Sequence, residues 1–411
     1  MRENNLIRLS RGTGQKLRRR LQEEMKKQFG PGNRKLDLTT KSMIPNAGQI
    51  EQIILDMLLA SVKPEESRFP QFKVTFGKPF TLDDHALIFE KPKLWCVEEL
   101  VKLAPAVVQP NGHIGVWPYN MDLLLIWGIQ TLRPMQTTFE VIDPGRITLS
   151  FGMGSKVAEI TGKKADFISS EWNSACHSLM ARNIADNDDS WIADLMRLFY
   201  TNAIREILRR MRQLRHGGTI IIVPDTNQWQ KSVARPIFYS CRQRLSQTRP
   251  IAESMLERLR EIDNDPSKDD RLKMHSGMKL FADFDYRAFL GDAARTIAYL
   301  GSVDGAIVLT SDLDVIGFGA KIKTSNLGLR SRRIVQVFPL EGDSDPEEVY
   351  LNHAFRGTRH TSAANFAFNN PGSRVFAVSQ DGGITGFTLS EPSTQNPNGR
   401  LLAYRGLEVF I

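Results

Sequence analysis

A long amphipathic helix that runs directly into a short apolar strand constrains the fold of this chain more than any other feature. Between residues 192 and 214 apolar side chains recur at helical spacing, and arginines occupy the opposite face. Gly217 and Gly218 end the helix, and residues 219–223 form an apolar run before Pro224, which predicts a buried strand. A helix followed at once by a buried strand favours an α/β domain, in which helices cover a central sheet.

The C-terminal part of the chain continues this pattern. A helix is predicted at residues 286–299, and it is followed by apolar runs that predict strands at residues 303–309, 315–322, 334–338, 374–378 and 384–389. Before that helix, residues 227–287 are polar and charged, with helical periodicity at residues 251–262, so we expect a helical insert on the surface. The prediction for residues 191–411 is a mixed-sheet α/β domain with flanking helices.

The N-terminal part of the chain has a different pattern. Short apolar runs between turn residues fill residues 69–160, the last of them at 146–151, and with a helix at residues 95–103 they predict a β-rich α+β domain. Residues 1–40 are polar and basic and predict a flexible arm, with a short helix from Gly14 to Phe29. The expected segments are the arm at 1–40, the β-rich domain at 41–190 and the α/β domain at 191–411.

The composition predicts where the protein is located in the cell but does not identify what it binds. The 411 residues contain no apolar run of about 18 residues, the length that spans a bilayer, and the N-terminus lacks the apolar core of a signal peptide. The cysteines Cys96, Cys176 and Cys241 are odd in number and far apart, which favours reduced thiols. We therefore expect a cytoplasmic protein with no membrane span. Its net charge of +8 suits nucleic acid, anionic lipid or a nucleotide and does not choose among them.

Two local sequences in the C-terminal part can carry chemistry. Asp304-Gly305-Ala306 opens a predicted strand, where an acid beside a residue without a side chain can hold a divalent cation while a nucleotide approaches the backbone. Gly357-Thr358-Arg359-His360 opens a predicted helix, where N–H groups, a hydroxyl and a guanidinium form a phosphate site. Each alone also fits an ordinary turn or a capped helix. Together they supply the two parts that nucleotidyl transfer requires, an acid for a metal ion and a basic cradle for phosphates.

The order of these motifs resembles that of the diadenylate cyclase (DAC) domain family. The segments that carry the resemblance are Ser302-Val303-Asp304-Gly305-Ala306-Ile307-Val308-Leu309, Gly357-Thr358-Arg359-His360-Thr361-Ser362-Ala363-Ala364 and Val375-Phe376-Ala377-Val378-Ser379-Gln380-Asp381-Gly382-Gly383-Ile384. Upstream, the helix that ends in Arg215-His216-Gly217-Gly218 and the strand after it are similar to the first helix and strand of the family. The resemblance covers residues 195–395, interrupted by the insert. More weakly, the first half resembles uncharacterised domains found ahead of some bacterial cyclase domains, which implies a sensory or regulatory role for residues 41–190.

The resemblance implies an enzyme that condenses two ATP molecules into cyclic di-AMP and two pyrophosphates across a head-to-head homodimer. Each ribose 3′-hydroxyl attacks the α-phosphate of the other ATP, so a single subunit cannot complete the reaction. The implied catalytic residues are Asp304, Arg359 and His360, of which Asp304 and His360 also bind Mg²⁺ or Mn²⁺. The implied ATP-binding residues are Gly305, Ala306, Gly357, Thr358, Arg359, Ser379, Gln380 and Asp381.

Two positions depart from the motifs of the family. The family commonly has Arg-His-Arg where this chain has Arg359-His360-Thr361, so one phosphate-binding cation is missing. Gln380-Asp381 stands where two glutamates are usual, and glutamine cannot replace the charge of a carboxylate. Arg356 or the basic patch at residues 330–333 could supply the missing cation.

These departures leave two other hypotheses open. One is a nucleotide-binding sensor of the same fold with impaired catalysis. The other is a basic nucleic-acid-binding protein that uses the arm and the arginine-rich helix at residues 197–215. Nucleic-acid affinity should fall steeply with salt and survive Asp304→Asn, whereas the substitution should abolish cyclase activity.

Overall fold

The chain forms two compact units in a computed structural model. The N-terminal unit comprises Met1–Ser169 with Glu341–Asp343, and the C-terminal unit comprises Ser170–Leu340 with Ser344–Ile411. The structure describes residues 9, 12–29, 44–64, 68–78, 86–107, 112–120, 123–130, 136–152, 155–162, 164–168, 170–180, 191–224, 227–234, 236–238, 248–268, 273, 276–277, 280, 286–323, 334–338, 346–355, 357–392 and 399–409. Within these ranges no helix is both long enough and apolar enough to cross a membrane.

A mixed sheet forms the centre of the N-terminal unit. Its strands are β1 (Lys73–Phe76), β2 (Ala86–Leu94), β3 (His113–Pro118), β4 (Leu124–Gln130), β5 (Thr137–Asp143), β6 (Arg146–Phe151), β7 (Ser155–Thr161) and β8 (Lys164–Phe167). They lie in the order β2-β4-β3-β1-β5-β6-β7-β8, with only β1 and β3 parallel among these pairs. The sequence prediction stopped at β6, because the charged Lys156 and Glu159 interrupt the apolar pattern of β7. Both are buried, and ion pairs with Glu140 and Arg146 compensate their charges.

One face of this sheet carries the apolar core, and the helices described beside it are α1 (Thr13–Phe29), α2 (Ala47–Ser61) and α3 (Val97–Leu103). Helix α1 packs against α2, β6 and β7. Leu17 and Leu21 are fully buried and Met25 is nearly so. The prediction of a flexible arm is therefore wrong for residues 13–29, although the short helix within it is confirmed. The many basic residues of this segment made it look polar throughout. The three apolar residues recur every four positions, so they lie on one face of the helix and pack against the core. Most of the remaining arm lies outside the described residues.

The opposite face of the same sheet is polar and nevertheless buried. Thr75 pairs across the strands with Gly115 and with Thr138, and both threonines are 1% exposed. Among the described residues, neither hydroxyl has a hydrogen-bond partner. The indole of Trp127 covers Gly115 so closely that a Cβ there would lie 2.1 Å from the ring. The sheet thus separates an apolar core from a polar interior layer.

A second mixed sheet organises the C-terminal unit. Its strands are β9 (Gly218–Ile222), β10 (Val233–Ala234), β11 (Ile237–Phe238), β12 (Ala306–Leu309), β13 (Val315–Ile322), β14 (Ile334–Phe338), β15 (Glu347–Tyr350), β16 (Arg374–Val378), β17 (Ile384–Leu389) and β18 (Leu401–Arg405). The order is β10-β13-β12-β9-β16-β17-β18-β14-β15, and β11 also pairs with β13. Strands β9 and β12 are parallel, as are β14 and β18. The predicted strands are confirmed, while β15 and β18 were not predicted.

Helices accompany this sheet, as the predicted α/β class requires. They are α4 (Ser170–Met180), α5 (Trp191–Leu214), α6 (Thr248–Asp263), α7 (Tyr286–Leu300), α8 (Leu351–Ala354) and α9 (Thr358–Asn369). Helix α4 belongs to this unit because its Trp172 indole donates to the carbonyl of Arg405 at 3.2 Å, so the boundary lies before residue 170 rather than near 190. The predicted insert is more integrated than expected: β10 and β11 join the sheet, and α6 packs on α5 with Met255 and Leu259 fully buried.

Candidate functional site

The register of three strands brings the motif segments to one edge of the C-terminal sheet. Strands β9 and β12 are parallel, with Thr219 opposite Ala306, so both strands begin at this edge. Strand β16 is antiparallel to β9, with Val378 opposite Gly218, so β16 ends at the same edge. Asp304-Gly305 precedes β12 and Ser379-Gln380-Asp381 follows β16, and the two segments therefore meet.

An open cleft of about 980 Å³ lies at this edge. Every residue that the sequence nominated for the site lines it: Asp304, Gly305, Ala306, Gly357, Thr358, Arg359, His360, Ser379, Gln380 and Asp381. The structure thus brings all the nominated residues together, although they come from three segments spread over residues 304–381. It also adds residues that the sequence did not nominate, among them Lys321, Phe355 and Arg405.

Asp304 is a highly exposed carboxylate in the cleft. Its side chain is 92% exposed, and its carboxylate faces the Lys321 ammonium at 3.3 Å. An ion pair this exposed contributes little to stability, so the carboxylate is available to a ligand or a metal ion.

Gly305 has a packing reason to lack a side chain. Its φ is +128°, and a Cβ there would lie 2.4 Å from the carbonyl carbon of Gly319 on β13. The main chain of Gly319 therefore occupies the space that a side chain would need. The expected close approach of a nucleotide at Gly305 is not needed to explain this glycine.

Arg359 is held at the start of α9 by main-chain groups. Its Nη1 donates to the carbonyl of Val378 at 3.3 Å, and the guanidinium packs against Gly217, where a Cβ would lie 2.5 Å from Nη1. The loop between α5 and β9, which has Gly217 at φ +63°, leaves room for this arginine. The guanidinium has five donors, so one bond to the main chain leaves others for an anion.

The beginning of α9 adds main-chain donors to the cleft. Gly357 is the N-cap residue and supplies no side-chain cap, and the first intrahelical bond runs from the Thr361 N–H to the Gly357 carbonyl at 3.1 Å. The N–H groups of the first turn of a helix carry partial positive charge and suit an anion.

His360 lies half-buried behind this helix start. Its ring stacks on Phe355 with centroids 5.6 Å apart and planes 5° apart, and it meets the edge of Phe387 at 6.4 Å. Burial lowers the pKa of His360, the positive charges of Arg359 and Arg405 lower it further, and Asp381 opposes them. The imidazole is therefore neutral at pH 7 and can accept a proton or ligate a metal ion.

The hairpin turn between β16 and β17 presents Gln380 and Asp381. The Ser379 N–H and hydroxyl both donate to the Gly383 carbonyl, at 2.8 and 3.0 Å. An Asp381 oxygen accepts from the Gly383 N–H at 3.3 Å. Ser379 and Asp381 thus shape the turn, while the exposed Gln380 and Asp381 side chains face the cleft.

The described cleft residues do not form a complete set of metal ligands by themselves. Among the described residues, no group of three or more His, Cys, Asp or Glu side chains could hold an ion on its own. Asp304 and His360 both line the cleft, and Mg²⁺ is commonly bound by one or two carboxylates together with substrate phosphates and water. Mg²⁺ or Mn²⁺ at Asp304 would therefore depend on phosphate oxygens for much of its coordination.

Other candidates from the sequence have less support. Arg356 and residues 330–333, proposed to replace the missing cation, lie outside the described residues. On α5, Arg209 and Arg210 both pair with Glu206, at 2.6 and 2.9 Å, and the Glu206 side chain is 15% exposed. Burial by itself would raise the pKa of Glu206, but the hydrogen bonds and charges of the two arginines outweigh it, so the pKa is lowered. The basic face of this helix is thus partly neutralised. Cys176 is buried, and burial raises the pKa of its thiol well above the usual value.

Comparison with known proteins bears on the N-terminal unit. Residues 39–131 match the family described as "Probable sensor domain DACNV". The search of curated proteins and the search of solved structures give no match. The family match supports the sensory role expected for the N-terminal domain and covers a minority of the chain.

Proposed function

We propose that the C-terminal unit is a diadenylate cyclase that condenses two ATP molecules into cyclic di-AMP and releases two pyrophosphates. The observation that carries the proposal is the single cleft that gathers Asp304, the start of α9 and the Ser379 turn. Its described lining has more cations, Lys321, Arg359 and Arg405, than carboxylates, which suits a nucleoside triphosphate.

The reaction requires two such clefts. In each half-reaction the 3′-oxygen of one ATP forms a bond to the α-phosphorus of the other, the bond to the leaving pyrophosphate breaks, and the hydroxyl proton passes to a base. Asp304 suits this exchange because its carboxylate is 92% exposed and therefore accessible to an ATP on a second subunit. A head-to-head homodimer is part of the proposal for this reason.

The other nominated residues suit the binding of phosphates. Arg359 and the first N–H groups of α9 would hold phosphate oxygens and stabilise the charge that develops on the pyrophosphate. His360 is neutral at pH 7 because its pKa is lowered, so it can act as an acceptor without first losing a proton. A bound Mg²⁺ or Mn²⁺ would neutralise phosphate charge and make the 3′-hydroxyl more acidic.

The N-terminal unit would regulate this activity. The match of residues 39–131 to a probable sensor family supports a sensory unit in the same chain. We propose that a signal bound there changes the rate at which the C-terminal unit makes its product.

The decisive experiment compares substitutions at two exposed aspartates. Purified protein is incubated with ATP and Mg²⁺ or Mn²⁺, and nucleotides are separated by chromatography and identified by mass. Asp304→Asn should abolish cyclic di-AMP formation. The control Asp292→Asn removes a carboxylate that is 76% exposed and pairs with Arg295 on α7, away from the cleft, and it should leave the rate unchanged.

The same assay separates the alternative functions. ATP binding without product would favour the catalytically impaired sensor and would give weight to Thr361 and Gln380. Nucleic-acid binding that falls steeply with salt and survives Asp304→Asn would favour the third hypothesis. If the unmodified protein binds no ATP at all, the assignment of the cleft is wrong.

A further inference from the structure

Position 361, where the family has the third cation of its Arg-His-Arg motif, does not place a side chain in the cleft of this chain. The Thr361 hydroxyl donates to the main-chain carbonyl of Gly357 at 3.1 Å and lies 3.4 Å from that of Phe355. Thr361 does not line the cleft, whereas its neighbour Ser362 does. The side chain at this position thus stabilises the start of α9, and any replacement for the cation must come from elsewhere in the cleft.

Arg405 enters the cleft from a strand that contains no motif residue. It is the last residue of β18, opposite Thr385 of β17, and both residues line the cleft. Its guanidinium lies over the ring of Phe355, with Cζ 4.6 Å from the centroid. Its Nη2 donates to the Ala354 carbonyl. The head of this arginine is therefore fixed beside the segment that leads into α9.

Phe355 connects Arg405 to the motif itself. The same ring that the guanidinium covers stacks on His360 at 5.6 Å, and the charge of Arg405 contributes to the lowered pKa of His360. Arg359, His360 and Arg405 thus share one end of the cleft. Arg359 and Arg405 are both positively charged, and an anion bound between two like charges relieves their mutual repulsion.

Among the described residues, no carboxylate forms an ion pair with Arg405. Burial lowers its pKa, and Glu347 opposes this effect only through its charge, since no ion pair joins the two among the described contacts. The guanidinium keeps its proton in proteins and has five donors. Lys321 differs, because its ammonium already faces Asp304. Arg405 is thus the better-placed cation for a ligand.

We propose that Arg405 binds a phosphate group of the nucleotide and replaces the cation that is missing at Thr361. The inference rests on the proposed function, since it takes ATP as the ligand of the cleft. It assigns to β18 a phosphate-binding residue that lies outside the motifs. The planar fork of arginine also predicts that lysine cannot fully substitute, because it offers a point charge rather than paired donors.

The test measures binding of ATP and of adenosine to the full chain by equilibrium dialysis. Arg405→Gln should weaken ATP binding by about tenfold or more, the loss expected for a charge-assisted hydrogen bond, and should leave adenosine binding unchanged. Arg405→Lys should bind ATP with an affinity between those of the unmodified protein and Arg405→Gln. The control Arg400→Gln removes an arginine that pairs with Glu348 and does not line the cleft, and it should bind ATP normally.

The outcomes separate this inference from the proposed function. If Arg405→Gln binds ATP as tightly as the unmodified protein does, the inference is wrong even when cyclic di-AMP is made. If Arg405→Gln binds ATP and adenosine with equally reduced affinity, Arg405 supports the structure of the cleft, and the inference is again wrong. If ATP binds selectively through Arg405 but no cyclic di-AMP forms, the inference stands and the cyclase proposal fails.

Discussion

Gly305→Ala and Gly319→Ala make the same chemical change on opposite sides of one close contact. At Gly305, φ is +128° and a Cβ would lie 2.4 Å from the carbonyl carbon of Gly319 and 2.7 Å from its oxygen. At Gly319, φ is +63° and the nearest atom to a new Cβ is a methyl carbon of Val303 at 3.4 Å. Only the first substitution forces two main-chain segments apart.

The expected magnitudes follow from these two environments. A left-handed backbone costs a residue with a Cβ about 1–2 kcal/mol, and this is the whole cost expected for Gly319→Ala. Gly305→Ala carries a similar backbone cost together with about 1–3 kcal/mol from overpacking. The sum is about 2–5 kcal/mol, a substantial part of the stability of a typical domain, about 5–15 kcal/mol.

Hydrogen exchange of the amides in β12 and β13 measures these costs where they arise. Because the chain has two units, a site-resolved measurement avoids assuming a single unfolding transition. Gly305→Ala should lower the protection of both strands much more than Gly319→Ala does. Equal protection in the two variants would refute the argument that Gly305 is required by its contact with Gly319.

Three further predictions concern other parts of the chain. Gly217→Ala places a Cβ 2.5 Å from Nη1 of Arg359, so it should weaken ATP binding in dialysis about as much as Arg359→Gln does, and unchanged binding would contradict this. Because the pKa of His360 is lowered in the folded protein, the unfolded chain binds the His360 proton more readily. The free energy of unfolding should therefore fall as the pH drops below 6.5, the ordinary pKa of histidine. Denaturation at several pH values should show that His360→Gln loses less stability in acid than the unmodified protein does. Thr75→Val and Thr138→Val remove buried hydroxyls without described partners, so thermal melting should show no loss of stability, whereas a loss above about 1 kcal/mol would mean that the hydroxyls bind water or a ligand.

The sequence predicted most of the secondary structure, because the spacing of apolar residues within a short segment distinguishes a helix from a strand. Strands β6 and β16 have their predicted bounds, and α7 begins where its helical spacing begins. The prediction failed where charge and burial occur together. Lys156 made β7 look polar although ion pairing lets it be buried, and the arginines of α1 concealed the leucines that fix it to the core.

The sequence by itself determined the α/β class of the C-terminal part. It also nominated ten residues for the cleft, through a resemblance that rests on short local motifs. What only the tertiary structure decided is which other side chains join them. Arg405 lies about forty-five positions beyond the Arg359 motif in the sequence, and only the pairing of β18 with β17 brings it to Phe355. The pairing of Lys321 with Asp304 likewise depends on the return of β13 beside β12. Which strands pair is decided by long-range contacts, and local sequence patterns do not reveal it.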